Sequence, residues 1–245
     1  MFITLKSLRH FTLRAKDGAI GSIEDYYFDD REWILRHFVI ETGHWLGRKQ
    51  VLLSPSVFKV PDELMARLET PLTEEEIRRS PLKGDRKPAS HRQEAPLGRY
   101  IEWPFWLAGL HASDEGTHPV KGRKTSEADP HLCSYEEVRG YPIEALNGKM
   151  GHVDDFLVGT KTWSIRYLIV DVWTWSAAKK VLLDPRWITG IGSAESRLYV
   201  SINKEDVWDC PGYDPKKALE ENIEEALHYS RRKSWEKTSG LEKAA

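Results

Sequence analysis

Cysteine is scarce in this chain. Its 245 residues include two, Cys133 and Cys210, with no CxxC pair and no disulfide framework. That excludes a disulfide-stapled secreted module and predicts a reducing, cytoplasmic setting. An excess of one charge is also missing: 36 Lys and Arg face 38 Asp and Glu, a formal net charge of −2. Proteins that grip nucleic acid by neutralising phosphates carry a basic excess somewhere, so no direct nucleic-acid contact is expected. No long hydrophobic run exists. The longest near-apolar stretch, Ile101 to Leu110, contains Glu102 and Pro104 and reaches about half of a membrane span. The opening MFITLKSLRHF is too polar for a secretory signal. There is no P-loop, GxSxG, HExxH or Rossmann glycine run. A non-enzymatic protein without cofactor, metal or transmembrane segment is the expectation.

Large apolar side chains, by contrast, are plentiful: apolar residues make up 40% and there are ten Trp, enough for well-packed cores. They recur in a pattern. Gly18 and Gly148 lie 130 positions apart, and the same offset pairs Gly21 with Gly151, Asp25 with Asp155, Trp33 with Trp163 and Arg36 with Arg166. It continues through Trp45/Trp175, Lys49/Lys179, the two Val-Leu-Leu runs and Pro55/Pro185, giving 11 identities in the 39 positions from Asp17 to Pro55. Average composition gives about two or three by chance. A period this long marks a duplicated small domain, not a solenoid. The chain divides into a first repeat (1–82), a connector (83–134), a second repeat (135–212) and a tail (213–245).

Each repeat reads as β. Asp17-Gly18 and Asn147-Gly148 are dipeptides of type I′ hairpin turns. The strands that follow hold Gly21 or Gly151, and an interior strand glycine marks a bulge or a close backbone approach. WILRHFVIET and WSIRYLIVDVW are β-branched and aromatic. KQVLLSP and KKVLLDP stop at Pro55 and Pro185. Thr73 and Asn203 suit helix N-caps, with Glu76 and Asp206 completing capping boxes. DELMARL looks helical, but the repeat register makes its end a strand beginning at Arg67.

The connector carries Tyr100-Ile-Glu-Trp103-Pro-Phe105-Trp106-Leu107, dense in aromatics. A free linker has no reason to hold these rings, so the segment either plugs the seam between the halves or forms a partner-binding hot spot. Trp45 and Trp175, near turns, are further partner-binding candidates. The tail reads as a helix from Asp214 to about Lys237, with Leu219, Ile223 and Leu227 on one face. That face packs on the protein itself or makes a homodimer.

The combination Gly-x-x-Gly, Trp-x-x-Arg, Trp, Val-Leu-Leu-x-Pro resembles the PRC-barrel family, named for the cytoplasmic domain of the photosynthetic reaction-centre H subunit. The resemblance covers both repeats, the second in a more divergent form. It implies an all-β fold of two small antiparallel barrels, with the connector setting their relative orientation, and a C-terminal helix. It also implies an adaptor or regulator of a macromolecular complex, photosynthetic or electron-transferring, reached from the cytoplasmic face of a membrane. The H subunit is anchored by a membrane helix, which this sequence does not show. A related barrel in the ribosome-maturation factor binds a ribosomal protein, which is the alternative partner class.

Three residue groups could carry chemistry. Asp25 and Asp155 share a repeat position and would be the acid–base pair of an enzyme, or structural ligands of turn backbone. Arg36 and Arg166 are expected to stack on tryptophan or to pair with Asp25 or Asp155. His111, His118, His131 and Cys133 are metal-binding types, but their spacing matches no zinc motif, and no metal is expected.

Overall fold

The computed structural model describes residues 1–85, 131–173, 178–217 and 219–229. The chain is mostly β, in two sheets with short helices. Its elements in order are β1 (Phe2–Thr4), α1 (Leu5–Arg9), β2 (Thr12–Arg14), β3 (Ala19–Asp29), β4 (Ile34–Thr42), β5 (Gln50–Leu53), β6 (Arg67–Glu69) and α2 (Glu74–Arg78). β7 (Leu132–Ser134) lies at the end of the connector, and α3 (Tyr135–Val138), β8 (Pro142–Ala145), β9 (Gly148–Gly159), β10 (Ile165–Trp173) and β11 (Ala178–Leu183) follow. The series ends with β12 (Ile188–Gly192), β13 (Arg197–Val200) and α4 (Lys204–Trp208), followed by a helix over 219–229, α5.

The 130-residue offset relates the elements of the two halves, except for β12, which has no counterpart strand in the first, and it extends to the first residues of the chain. β1 and β7 are equivalent, as are α1 and α3. Yet neither short strand joins the sheet of its own repeat. β7 pairs antiparallel with β3 (Tyr27↔Ser134, Phe28↔Cys133, Asp29↔Leu132). β1 pairs with β9 (Phe2↔Gly159, Ile3↔Val158, Thr4↔Leu157). The two halves therefore exchange their leading strands.

The exchange answers a local need. β2 covers only the first part of β3, with Leu13 opposite Gly21. The later stretch of that edge would be left with open N–H and C=O groups. The strand from the other half fills it.

Each sheet contains one parallel pair, β2 with β6 and β8 with β13, so the expected purely antiparallel pairing is corrected. A β6 that follows three antiparallel strands returns to the edge of β2 running in the same direction. The halves also meet directly. Ile34 and Ser164 form an antiparallel bridge, in which Leu35 N donates to Trp163 O (2.9 Å) and Ile165 N to Trp33 O (2.7 Å). Trp33 and Trp163 sit there at φ 53° and 55°, a left-handed conformation that costs a side chain about 1–2 kcal/mol. Ring packing offsets it: Trp33 stacks on Phe28 and Trp163 sits edge-on to Phe38 across the halves.

A single hydrophobic core runs through both repeats, from Ile3 to Cys210. Phe28 meets Phe156 at 5.2 Å between ring centroids, and Tyr26 meets Tyr135 at 5.6 Å. Exchanged strands and a shared core hold the two halves together.

The glycines and turns follow particular needs. At Gly21 (φ 149°) an added Cβ would lie 1.9 Å from Glu41 O, and at Gly151 (φ 74°) 2.2 Å from Asp171 O. The close approach read from the sequence is present at both. The type I′ turns are not: neither Asp17, Gly18 nor Asn147 has a positive φ. Instead these side chains bond to helix starts 57 residues on. Asp17 Oδ1 accepts from Glu74 N (2.9 Å) and Asn147 Oδ1 from Lys204 N (2.8 Å). The Thr73–Glu76 capping box forms on α2. β6 begins at Arg67, as the repeat register predicts, after Ala66 turns the chain at φ 44°. Gly21→Ala should lower stability by at least about 2 kcal/mol, read as a reduced urea midpoint at unchanged m-value.

Candidate functional site

The side chains shared by both repeats are the natural place to look for chemistry, and Asp25 and Asp155 are the most telling. In β3 the register slips between Ile23↔Ile40 and Asp25↔Val39, so Glu24 is a bulge residue. In β9 the same slip makes Asp154 the extra residue before Asp155. A bulge re-aims the next side chain, here toward the segment arriving from the other half.

Asp25 accepts hydrogen bonds from Glu136 N (3.1 Å), the Ser134 hydroxyl (2.6 Å) and Tyr26 N (2.7 Å). Asp155 accepts from Lys6 N (3.2 Å), the Tyr135 hydroxyl (2.9 Å) and Phe156 N (2.7 Å). Each carboxylate thus satisfies an N–H in the first turn of the exchanged helix, α3 or α1, where the helix leaves such donors open. Thr4 and Ser134 are the N-caps of those helices, accepting from Ser7 N and Glu137 N. Both aspartates are buried. Burial pushes their carboxyl pKa values above the usual range, and the donated hydrogen bonds oppose that only in part.

Charges frame the latch. Asp154 pairs with Lys6 of the exchanged helix (2.5 Å) and with Lys180 (2.6 Å), and these partners hold its pKa below the usual range against the opposing effect of burial. Arg9 on α1 pairs with Glu136 on α3 and donates to the Ile23 and Glu24 carbonyls. Among the described residues, no three His, Cys, Asp or Glu side chains gather as a metal site requires. No protein-family model matches the chain, and no curated protein matches it.

The other sequence candidates resolve one by one. Arg36 pairs with Asp29 (3.1 Å) and Glu32 (2.7 Å), not with Asp25, because Asp25 is turned toward the exchanged segment. Arg166 is exposed; the positions equivalent to Asp29 and Glu32 are Gly159 and Thr162, so its acidic partners are missing from the second repeat. Pro55 and Pro185 open 3-10 turns capped by Ser54 and Asp184. His131 Nδ1 lies 3.0 Å from Asp30, and Cys133 is buried in the core. Cys210 is also buried, which raises its thiol pKa to about 12. Trp45 belongs to the 3-10 turn His44–Leu46. Trp103, Phe105, Trp106, Trp175, His111 and His118 lie outside the described residues.

Sequence reasoning missed the capping hydroxyls, Tyr135 and the Arg9–Glu136 pair. The signal was present. The offset that links Asp25 to Asp155 also links Arg9 to Arg139 and Thr4 to Ser134. It missed an exposed apolar loop tip as well, formed by Val60, Leu64 and Met65 at 55%, 97% and 66% exposure. The equivalent positions in the second repeat are Gly190, Ala194 and Glu195.

Asp155→Ala should cost about 2–4 kcal/mol, because it strands the Tyr135 hydroxyl and two backbone N–H groups without an acceptor. Asp155→Asn keeps one oxygen for them and should cost less. Its deficit should also shrink with rising pH. A carboxyl whose native pKa is raised contributes fully below the ordinary carboxylate range and loses that contribution as pH rises through the native value. Asn does not titrate. Chemical denaturation of wild type and variant between about pH 3.5 and 7 reads the difference.

Proposed function

We propose that this chain is a non-enzymatic docking protein of the tandem PRC-barrel type. In this reading each sheet, completed by the exchanged strand, is one barrel of the pair. The carrying observation is how the repeat-shared carboxylates are used. Asp25 and Asp155 are committed to backbone N–H groups of the exchanged segments, which gives these side chains a structural reason to recur and leaves no acid–base pair at the shared position. A catalytic pair would need to reach a substrate proton, and both carboxylates are buried.

The partner is a protein assembly, and by family resemblance a membrane-associated electron-transfer complex approached from its cytoplasmic face. Near-neutral charge (net −2) supports recognition by shape and apolar contact over phosphate binding. Leu64 and Met65 belong to the contact surface. Exposed apolar side chains clustered on one loop are unusual for a surface that meets only water, and the first repeat carries such a loop at Val60, Leu64 and Met65. Among the described residues no helix is long and apolar enough to cross a membrane.

The test is affinity capture of the tagged full-length protein from its native cell at low and high salt, beside a Leu64→Ser/Met65→Ser variant. The expected result is co-purification of integral-membrane electron-transfer subunits with the wild type, at least about tenfold reduced for the variant, with an unchanged melting temperature. Co-sedimentation with ribosomal particles in place of membrane subunits would overturn the reading. So would capture that the variant leaves unaltered.

A further inference from the structure

The turns that join β3 to β4 and β9 to β10 close in the same way but carry different side chains. Trp33 N donates to Asp29 O (2.9 Å) in the first, and Trp163 N to Gly159 O (2.7 Å) in the second. Both tryptophans are left-handed, at φ 53° and 55°. The first turn is filled from within. Asp29 Oδ1 accepts from Arg31 N and Glu32 N (3.0 Å each), and Asp29 Oδ2 from Arg36 Nη2 (3.1 Å). Glu32 places a second carboxylate on Arg36 (2.7 Å). The second turn keeps the arginine, as Arg166, and replaces both acids, with glycine at 159 and threonine at 162. Ser164 stands where the first turn has Ile34.

What surrounds the replaced carboxylate is polar. A Cβ placed at Gly159 would have Thr162 Oγ1 (3.7 Å), Ser164 Oγ (3.8 Å) and Arg166 Nε (3.9 Å) as its nearest contacts beyond the adjacent residues. The two hydroxyls lie 2.8 Å apart and bond to each other, which uses one O–H and leaves the other to donate outward. The N–H groups of Lys161 and Thr162 are the equivalents of those that Arg31 and Glu32 donate to Asp29. Thr162 and Arg166 are exposed, so the place is open to an incoming group. The acids of the first turn, which lies across the Ile34–Ser164 bridge, are held by Arg36.

We infer that the β9–β10 turn receives a carboxylate from the partner protein, an aspartate or glutamate side chain that takes the place Asp29 takes in the first turn. The inference rests on the docking role only for the source of the carboxylate, since the receiving groups are read from the turn. The first turn sets the standard: an arginine at the same position, equivalent backbone donors and the acid supplied in cis. The second turn takes its acid in trans. Hydrogen bonds from guanidinium to carboxylate are charge-assisted and roughly twice as strong as neutral ones, and such a contact fixes register and excludes partners without an acid at that point.

Acetate is the probe, added to the full chain at constant ionic strength. The side-chain Nε–H signals of Arg36 and Arg166 are followed by NMR and assigned from Arg36→Lys and Arg166→Lys. Acetate should shift the Arg166 signal saturably, with an affinity at least about threefold higher than at Arg36. Gly159→Asp returns the carboxylate to the turn in cis and should abolish the response. A response at Arg166 no greater than at Arg36 overturns the inference, as does one that survives in Gly159→Asp. Inorganic phosphate forms a further arm: a shift caused by phosphate and not by acetate assigns the turn to a phosphate-bearing ligand and overturns the carboxylate. These readings do not use the partner, so their failure leaves the docking role to its own test. In the capture experiment, Gly159→Asp should lower the yield of the captured subunits several-fold. An unaltered yield beside positive acetate binding overturns the partner as the source of the acid.

Discussion

A carboxylate buried against a helix start from the other half of the molecule is the interaction on which the architecture turns. Asp25 and Asp155 are each placed by a bulge, and each binds the first turn of a helix that has crossed from the opposite repeat. A buried carboxylate is costly without donors, and an exchanged helix start has donors without acceptors. Each side of the contact resolves the other's deficit. A side chain of another shape would leave polar groups stranded on both sides, which ties strand exchange to the identity of a single residue in each repeat.

Rigid coupling of the halves follows. Two repeats joined only by a linker would move relative to one another, whereas here the core is continuous and Phe28, Phe156, Tyr26 and Tyr135 interlock across the seam. The bridge at Ile34 and Ser164 adds backbone hydrogen bonds between β4 and β10. For the docking role proposed above this matters, because a rigid surface loses less conformational entropy on binding than a hinged one.

Much of the fold was legible in the residues because duplication prints each structural demand twice. Glycine at 21 and 151 recurs because a carbonyl oxygen occupies the place of a Cβ. The register also identified the strand starting at Arg67 against a helical-looking pattern. The exchange was not legible, for a physical reason: an offset relates equivalent residues, and an exchanged strand and a retained one have the same offset. Only the hydrogen-bond partners of Phe2–Thr4 and Leu132–Ser134 distinguish them, and pairing partners are not a local property of three-residue strands. The turns at Asp17 and Asn147 misled for a related reason. Asp and Asn before Gly serve a hairpin turn or accept from a distant helix N–H equally well, and long-range contact decides between them. In the tail, Leu227 fits the helical spacing but is 44% exposed while Ala226 is buried, because α5 meets its sheet through a face rotated by one residue.

Departures from symmetry bear on which repeats can exchange strands. In two identical repeats, the residues near the approximate two-fold axis would carry the same charges on both helices, and Arg9 would face a lysine at position 136. The repeats differ there. Position 6 is Lys and position 136 is Glu, so Arg9 gains Glu136 as a partner while Lys6 turns to Asp154 and Lys180 joins it. Each pair is partly exposed and is worth at most about 1 kcal/mol. Their larger effect is on specificity, since α3 offers Arg9 of α1 an acid that a copy of α1 would not. Two first repeats meeting would set Arg9 against the Lys6 of the other copy, whereas two second repeats would set Arg139 against Glu136. Charge divergence on two short helices therefore disfavours the pairing of two first repeats that an exchanged, symmetric architecture otherwise invites.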